Sequence, residues 1–127
     1  MNATPAYDDL AAHFTRLHHY AHLSSIASWD RAANMPDKGN DARAAAMAEL
    51  AALMHRLRTE PALGDRIVRA EQEPLSDHQR ANLREIRRDW HNANALPAEL
   101  VQRRQLASSR CEHAWRTLRP ANDWPGF

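Results

Sequence analysis

The sequence has few of the residues on which disulfide-linked, β-sheet and membrane proteins depend. Of its 127 residues only one is cysteine, so an intrachain disulfide and a cysteine-based zinc cluster are both excluded. Two valines and three isoleucines are too few for a sheet built from β-branched strands. The longest apolar runs, such as Leu50 to Met54, are only a few residues long. A membrane-spanning helix is therefore excluded, and no membrane partner is expected.

The chain also lacks a large excess of positive or negative charge. The chain has 17 Lys and Arg against 16 Asp and Glu, a formal net charge of +1. Proteins dedicated to binding polyanions are usually far more basic, so the sequence predicts no nucleic-acid partner. Residues 1–5 lack the charged start and apolar core of a signal peptide. With a single cysteine, this predicts a cytoplasmic protein.

What the chain does contain favours helices. Ala, Leu, Arg and Glu dominate, only three glycines are present, and unbranched side chains lose little rotamer freedom in a helix. The length suits one domain. We therefore predict an all-α fold, an antiparallel helical bundle of about four to five helices, with residues 1–127 forming a single helical domain.

Apolar periodicity locates the first helices. One is predicted over about residues 7–30 and a second over about 41–58, with Asn40 as its N-cap; Pro36 and Gly39 interrupt the chain between them. A short third helix begins near Pro61 and ends before Pro74. Their apolar stripes are Leu10, Phe14, Leu17 and Ala21; Met47, Leu50, Met54 and Leu57; Leu63, Ile67 and Ala70.

Two further helices complete the prediction. Ser76 and Gln79 form a capping box that begins a helix carrying Leu83, Ile86 and Trp90. Pro97 opens the last helix and Pro120 ends it. Its predicted inward stripe is Leu100, Ala107, Cys111, Ala114, Trp115 and Leu118. Cys111 is accordingly predicted to be buried and inert, because Arg110 and His113 do not share its helical face.

His18 and His22 are the candidate metal ligands. They lie four residues apart on one helical face, a spacing by which two imidazoles can bind zinc. His19 stands where a zinc peptidase has a glutamate base, and a third ligand would have to come from elsewhere, such as His13. The simpler interpretation is that the pair lies on the helix surface, so no metal site is assigned.

Arginine is concentrated in the last third of the chain. From Arg80 to Arg119 there are nine arginines and four acidic residues, a local balance of +5. Arg80, Arg84, Arg87 and Arg88 form a ridge on one helix. This ridge is either a site for phosphate or carboxylate or a solvated helix face. The last residues of the sequence include Trp124 and Phe127, aromatic residues that either fold back on the helices or pack against chain that follows.

Three segments resemble a known family. Ser28-Trp-Asp-Arg-Ala-Ala-Asn-Met-Pro36, followed by Gly39 and Arg43, resembles a stretch near the start of the carboxypeptidase Taq enzymes, metallopeptidase family thirty-two. Residues 79–88 (QRANLREIRR) and 109–115 (SRCEHAW), the latter leading to 119–124 (RPANDW), match as well. The three segments occur in the family's order, and the resemblance that they carry extends over nearly the whole chain.

The resemblance implies a helical N-terminal domain that covers or walls the cleft of a zinc-dependent metallocarboxypeptidase. Such enzymes are several times longer, are typically homodimers, and remove C-terminal residues from peptide substrates with zinc or another divalent metal. In the family's pattern the metal is held by H-E-x-x-H and a later glutamate, and this sequence has no H-E-x-x-H. The chain alone is therefore expected to carry no cofactor and no catalytic residue, to be inactive, and to form a homo-oligomer.

Six residues of the matching segments are candidates for the cleft wall or for substrate contact: Trp29, Asp30, Arg43, Arg110, Asn122 and Asp123. Arg43 or Arg110 would bind a substrate carboxylate through its planar guanidinium. The alternative function is a stand-alone helical interaction module derived from the same family. A third hypothesis is a small metal carrier based on His18 and His22.

Overall fold

The computed structural model describes residues 3–126, which contain five α-helices and no strand. The helices are α1 (Pro5–Ala33), α2 (Asn40–Arg58), α3 (Ala62–Glu71), α4 (Asp77–Asn94) and α5 (Ala98–Leu118), with a 3-10 turn at Asp37–Gly39. The all-α prediction is confirmed. Within this range no helix is both long enough and apolar enough to cross a membrane.

The predicted helix ends are close to the observed ones. The capping box before α4 is confirmed: the Gln79 amide donates to the Ser76 hydroxyl at 3.3 Å, and the Ser76 amide donates to the Gln79 side chain at 2.9 Å. Asn40 is the first residue of α2, and Gly39 occupies the N-cap instead. The difference arises because the 3-10 turn runs directly into α2, so Asn40 already has helical dihedral angles.

Contacts between opposite helix ends confirm antiparallel packing. Near the start of α1, His13 Nε2 donates to the carbonyl of Leu57 at the end of α2, at 2.9 Å. Near the start of α2, Arg43 contacts Asp30 at the end of α1. The first residue of α2, Asn40, contacts Ser109 in the second half of α5. α1 and α2, and likewise α2 and α5, therefore run antiparallel to each other.

The hydrophobic core lies where the first half of α1 packs on α3 and α4. Its buried members are Tyr7, Leu10, Leu63, Ile67, Ala70, Leu75, Leu83 and Ile86, with Phe14 and Trp90 packed against them. Gly64 allows the indole of Trp90 to approach the backbone of α3, because a Cβ at this position would lie 3.2 Å from the ring. The predicted apolar stripes of α1, α3 and α4 all contribute to this core.

The first turn of α1 is capped from a distant part of the chain. Thr4, at the N-cap, makes no side-chain hydrogen bond to the backbone amides of the first turn. Instead, Glu73 in the α3–α4 connection accepts from the Ala6 amide at 2.8 Å and from the Tyr7 amide at 2.9 Å. These amides have no partner within the helix, and a carboxylate there also faces the positive end of the helix dipole. Glu73 therefore joins α1 to the α3–α4 pair.

The predicted inward face of α5 is wrong. α5 packs mainly on α2, and the residue buried in that contact is Ser109, which is fully inaccessible. The opposing face of α2 has Asn40 and, one and two turns later, the buried alanines Ala44 and Ala48. The less exposed face of α5 is therefore a mixed one, formed by Val101, Gln102, Gln105, Leu106, Ser109 and His113. The apolar stripe is turned outward: Leu100, Ala107, Cys111, Ala114 and Trp115 are exposed, and only Leu118 is partly buried.

Two residue predictions change with that rotation. Cys111 is exposed and not buried. Trp115 is 42% exposed, with the Arg119 guanidinium 4.7 Å from the centre of its ring. Trp124 is 70% exposed and lies beside the last turn of α5, so it does not fold back into the core; Phe127 lies outside the described residues.

The cap of α1 predicts a stability difference between two neighbouring glutamates. Glu73→Ala is expected to lower the free energy of unfolding by about 2 kcal/mol, because hydrogen bonds to a charged group are lost and two helix amides lose their acceptor. Urea unfolding followed by far-UV circular dichroism measures the loss.

Glu71→Ala is the matched control. Glu71 pairs with Arg87 on the surface at 2.6 Å, and the Arg87 side chain is 61% exposed. Exposed ion pairs of this kind contribute about 0–1 kcal/mol. Equal losses in the two variants would contradict the role assigned to Glu73.

Candidate functional site

The first matching segment forms the reversal between α1 and α2. The amides of Asn34 and Met35 both donate to the carbonyl of Asp30, and α1 ends just before them, at Ala33. The chain then turns through Pro36, whose carbonyl accepts from the Gly39 amide at 2.8 Å. Gly39 lets Met35 lie close to the backbone, because a Cβ there would be 3.1 Å from the Met35 side chain. The proline and the glycine thus build a compact turn.

Arg43 and Asp30 close this turn as an ion pair. Arg43 Nη2 lies 2.7 Å from Asp30 Oδ2, and Nη1 donates to the carbonyl of Ala27 at 3.1 Å. Both side chains are about two-thirds buried. A cation beside the carbonyls at the end of α1 is also favoured by the helix dipole. The structure therefore brings together two of the residues predicted from sequence, as a bridge between helices.

Trp29, the residue before Asp30, is 64% exposed. It continues a line of exposed apolar side chains along the second half of α1, at steps of three residues, with Leu23 56% and Ile26 50% exposed. A large exposed apolar strip is uncommon on a monomer and is typical of a surface that contacts something else.

A second bridge, absent from the sequence predictions, joins the end of α1 to α5. Arg31 is paired with Glu112, and Arg116 donates to the Arg31 carbonyl. The Arg31 side chain is only 11% exposed. Arg31 and Glu112 both occur in the segments that carry the family resemblance. The sequence signal that could have predicted this ion pair is the presence of opposite charges in two of the matching segments.

The remaining predicted residues lie on or after α5. Arg110 is exposed and follows the buried Ser109. Asn122 has a φ of 55°, a left-handed conformation that Asn tolerates better than most residues, and its side chain accepts from the Trp124 indole at 3.0 Å. Asp123 accepts from the Gly126 amide at 3.0 Å and its own amide donates to the Leu118 carbonyl. Asn122 and Asp123 thus shape the turn after α5.

The histidine pair gains no further ligand. His18 and His22 are both exposed on α1. His13, the suggested third ligand, is 5% exposed, and its Nε2 is already bonded to the Leu57 carbonyl. Across residues 3–126, no three His, Cys, Asp or Glu side chains are grouped closely enough to hold a metal ion. The two bridges join the end of α1 to the start of α2 and to the second half of α5, and they define an edge at which these three segments meet.

Comparisons with known proteins identify relatives of the chain in sequence and in fold. In structure, the chain is similar to Trypanosoma cruzi metallocarboxypeptidase 1, with a TM-score of 0.78 and 42% identity over 98% of this chain and 25% of that one. In sequence, it is similar to thermostable carboxypeptidase 1 of Thermus thermophilus, with 36% identity over 132 residues covering 100% of this chain and 26% of the relative. The enzyme of the same name from Pyrococcus furiosus is 28% identical over 93% of this chain and 24% of its own length.

The chain therefore spans about a quarter of the length of the curated relatives that it matches. It corresponds to the N-terminal region of these enzymes. The sequence model of one family, described as carboxypeptidase Taq (M32) metallopeptidase, matches residues 9–127. With nearly the whole chain matched in sequence and in fold, the protein belongs to the carboxypeptidase Taq (M32) metallopeptidase family.

Proposed function

We propose that residues 1–127 form the N-terminal helical domain of a zinc-dependent metallocarboxypeptidase that removes C-terminal residues from peptides. The observation that carries this proposal is the coverage: a family match over residues 9–127, with relatives about four times as long. The comparisons do not favour a stand-alone interaction module derived from the family. A single cysteine is consistent with a cytoplasmic enzyme.

The chemistry of hydrolysis is not assigned to this chain. The described residues do not fit a metal ion, and the full sequence has no H-E-x-x-H. Metal-assisted hydrolysis needs a Lewis-acid ion and a base placed together. The proposed contribution of this domain is to wall the substrate cleft with the edge formed by α1, α2 and α5. Zinc, or another divalent ion, would act from the rest of the enzyme.

Of the six candidate residues, Trp29 and Arg110 are exposed and take part in none of the hydrogen bonds and ion pairs described above, so we propose them for substrate contact. Arg43 is held by Asp30 and Ala27, so its proposed role is to fix the turn that presents Trp29. The proposed role of three other candidates is also positioning: Asp30 is paired with Arg43, and Asn122 and Asp123 form hydrogen bonds in the turn after α5. Arg110 is exposed and carries the fork geometry that binds a carboxylate through two hydrogen bonds.

The outward apolar faces further support association with other protein surface. Leu23, Ile26 and Trp29 on α1, and Leu100 and Trp115 on α5, are each between 42% and 64% exposed. Burying one large apolar side chain is worth about 1.5–3 kcal/mol, so several together favour association. We propose that the chain forms a homo-oligomer through the face of α5.

The first prediction from the proposed function concerns activity. The purified chain, with Zn²⁺ or Co²⁺ added, is expected to release no C-terminal residue from a peptide. A chimera in which the chain replaces the matching quarter of the Thermus thermophilus enzyme is expected to release it. Amino-acid analysis of the products measures both. Chelator-sensitive release by the chain alone would contradict the proposal, and so would a chimera that melts as a folded protein but is inactive.

The second prediction concerns Arg110 in that chimera. Arg110→Met is expected to raise KM for a peptide at least tenfold, because a hydrogen bond to a charged group is worth about 1.5–3 kcal/mol. The matched control is Arg103→Met, since Arg103 is also an exposed arginine of α5. Unchanged KM in the first variant, or equal changes in the two, would remove Arg110 from the cleft.

The third prediction concerns self-association. Sedimentation equilibrium is expected to show a dimer or higher oligomer of the chain, and Trp115→Glu is expected to raise its dissociation constant at least tenfold, because a charge replaces an apolar ring at the contact. Val68→Glu is the control, because Val68 is 56% exposed on α3. A clean monomer at high concentration would contradict the proposal. An equal effect of the two variants would show that the α5 face is not the contact.

A further inference from the structure

A pocket of about 300 Å³ opens between the end of α3, the α3–α4 connection and residues 80–87 of α4. Its apolar members are Leu75 and Leu83, which are 5% and 4% exposed and belong to the core. Its charged members are Glu71, Glu73, Arg80, Arg84 and Arg87. The pocket thus combines an apolar floor with a rim that includes three residues of the arginine ridge.

The arginines of this ridge do not have equal surroundings. Arg80 donates to Asp77 at 2.6 Å and to the Leu75 carbonyl. Arg87 donates to Glu71 at 2.6 Å, and Arg88 lies 2.5 Å from Glu85. Arg84 is exposed and has no ion-pair partner among residues 3–126.

The two carboxylates of the pocket are already engaged. Both oxygens of Glu73 accept from backbone amides at the start of α1, where the helix dipole also offsets the negative charge. Glu71 is held by Arg87. Neither carboxylate is therefore available to neutralise Arg84.

The other arginines of the ridge surround Arg84 on the helix. Arg80 and Arg88 lie four residues to either side of it, and Arg87 lies three residues away, spacings that make them neighbours on the helix surface. Each of these three is paired with a carboxylate, whereas Arg84 has no ion-pair partner among the described residues. An anion bound at Arg84 would offset its charge and accept hydrogen bonds from it.

We propose that this pocket, the Arg84 pocket, binds an oxyanion, a phosphate or a carboxylate, carried on a small apolar group. The planar guanidinium of Arg84 presents two parallel N–H donors, a geometry that matches both oxyanions. Leu75 and Leu83 supply the apolar surface against which the rest of the ligand packs, as in most small-molecule sites. This site is separate from the proposed peptide cleft and involves none of its residues.

The test is a titration of the full 127-residue chain, followed by backbone amide chemical shifts at constant ionic strength. The probes are phenyl phosphate, phenylacetate and inorganic phosphate, with benzyl alcohol as an uncharged comparison. Saturable shifts at Arg84 and Leu83 are expected with phenyl phosphate, phenylacetate or both, and the responding probe identifies the oxyanion. Inorganic phosphate is expected to bind at least fivefold more weakly, because it has no apolar part. Benzyl alcohol is expected to give no saturable shift.

Three variants make the test specific. Arg84→Gln is expected to raise the dissociation constant at least tenfold, and Arg84→Lys to raise it less, because Lys keeps the charge but loses the two-pronged donor. Arg103→Gln, an exposed arginine of α5, is expected to leave it unchanged. An exposed position allows each variant to fold, which an unchanged melting temperature confirms. Shifts that chloride reproduces, that do not saturate, or that survive Arg84→Gln would overturn the proposal.

Discussion

The close approach of α2 and α5 determines which surface the molecule presents. On α2 the face at this contact includes Asn40 and, at steps of four residues, the buried Ala44 and Ala48; on α5 it is centred on Ser109, whose hydroxyl donates to the Asn40 side chain at 3.4 Å. Dispersion contacts between such faces depend on shape more than on hydrophobicity. Once Ser109 lies at the contact, the rotation of α5 is fixed. Trp115 and Leu100 must then lie on the outside, and Arg110 with them.

The same rotation brings α5 into contact with the end of α1, next to the α1–α2 turn. With α5 placed in this way, Glu112 and Arg116 reach the last turn of α1 and meet Arg31. The Arg43–Asp30 bridge holds the other side of that turn. Residues from three helices are thereby held at one edge, although no helix pair supplies all of the contacts. The exposed Trp29 directly precedes Asp30 and Arg31, the two α1 residues that form the bridges.

Much of this fold could be predicted from the sequence, because local signals determine it. The apolar stripes of α1, α3 and α4, the capping box at Ser76 and the breaks near Pro36 and Pro74 each have a short-range physical cause. The face of α5 could not be predicted by the same rule. A stripe such as Leu100–Trp115 shows which face is apolar, but α5 packs through Ser109, whose partner Asn40 lies 69 residues earlier in the chain. The family resemblance singled out Asp30 and Arg43 as candidates but not as a pair, because their contact depends on the reversal of the chain between α1 and α2.

The carboxylate of Glu73 has a consequence for the order in which the chain folds. α3 and α4 are joined by a short connection and pack on each other, so their contacts close only a small loop. The bonds from Ala6 and Tyr7 to Glu73 span 67 and 66 residues, with all of α2 between them. Contacts of high sequence separation form slowly because loop closure must precede them. We expect the α3–α4 hairpin to form early and present Glu73 as a preformed acceptor, onto which α1 docks as a late, rate-limiting step.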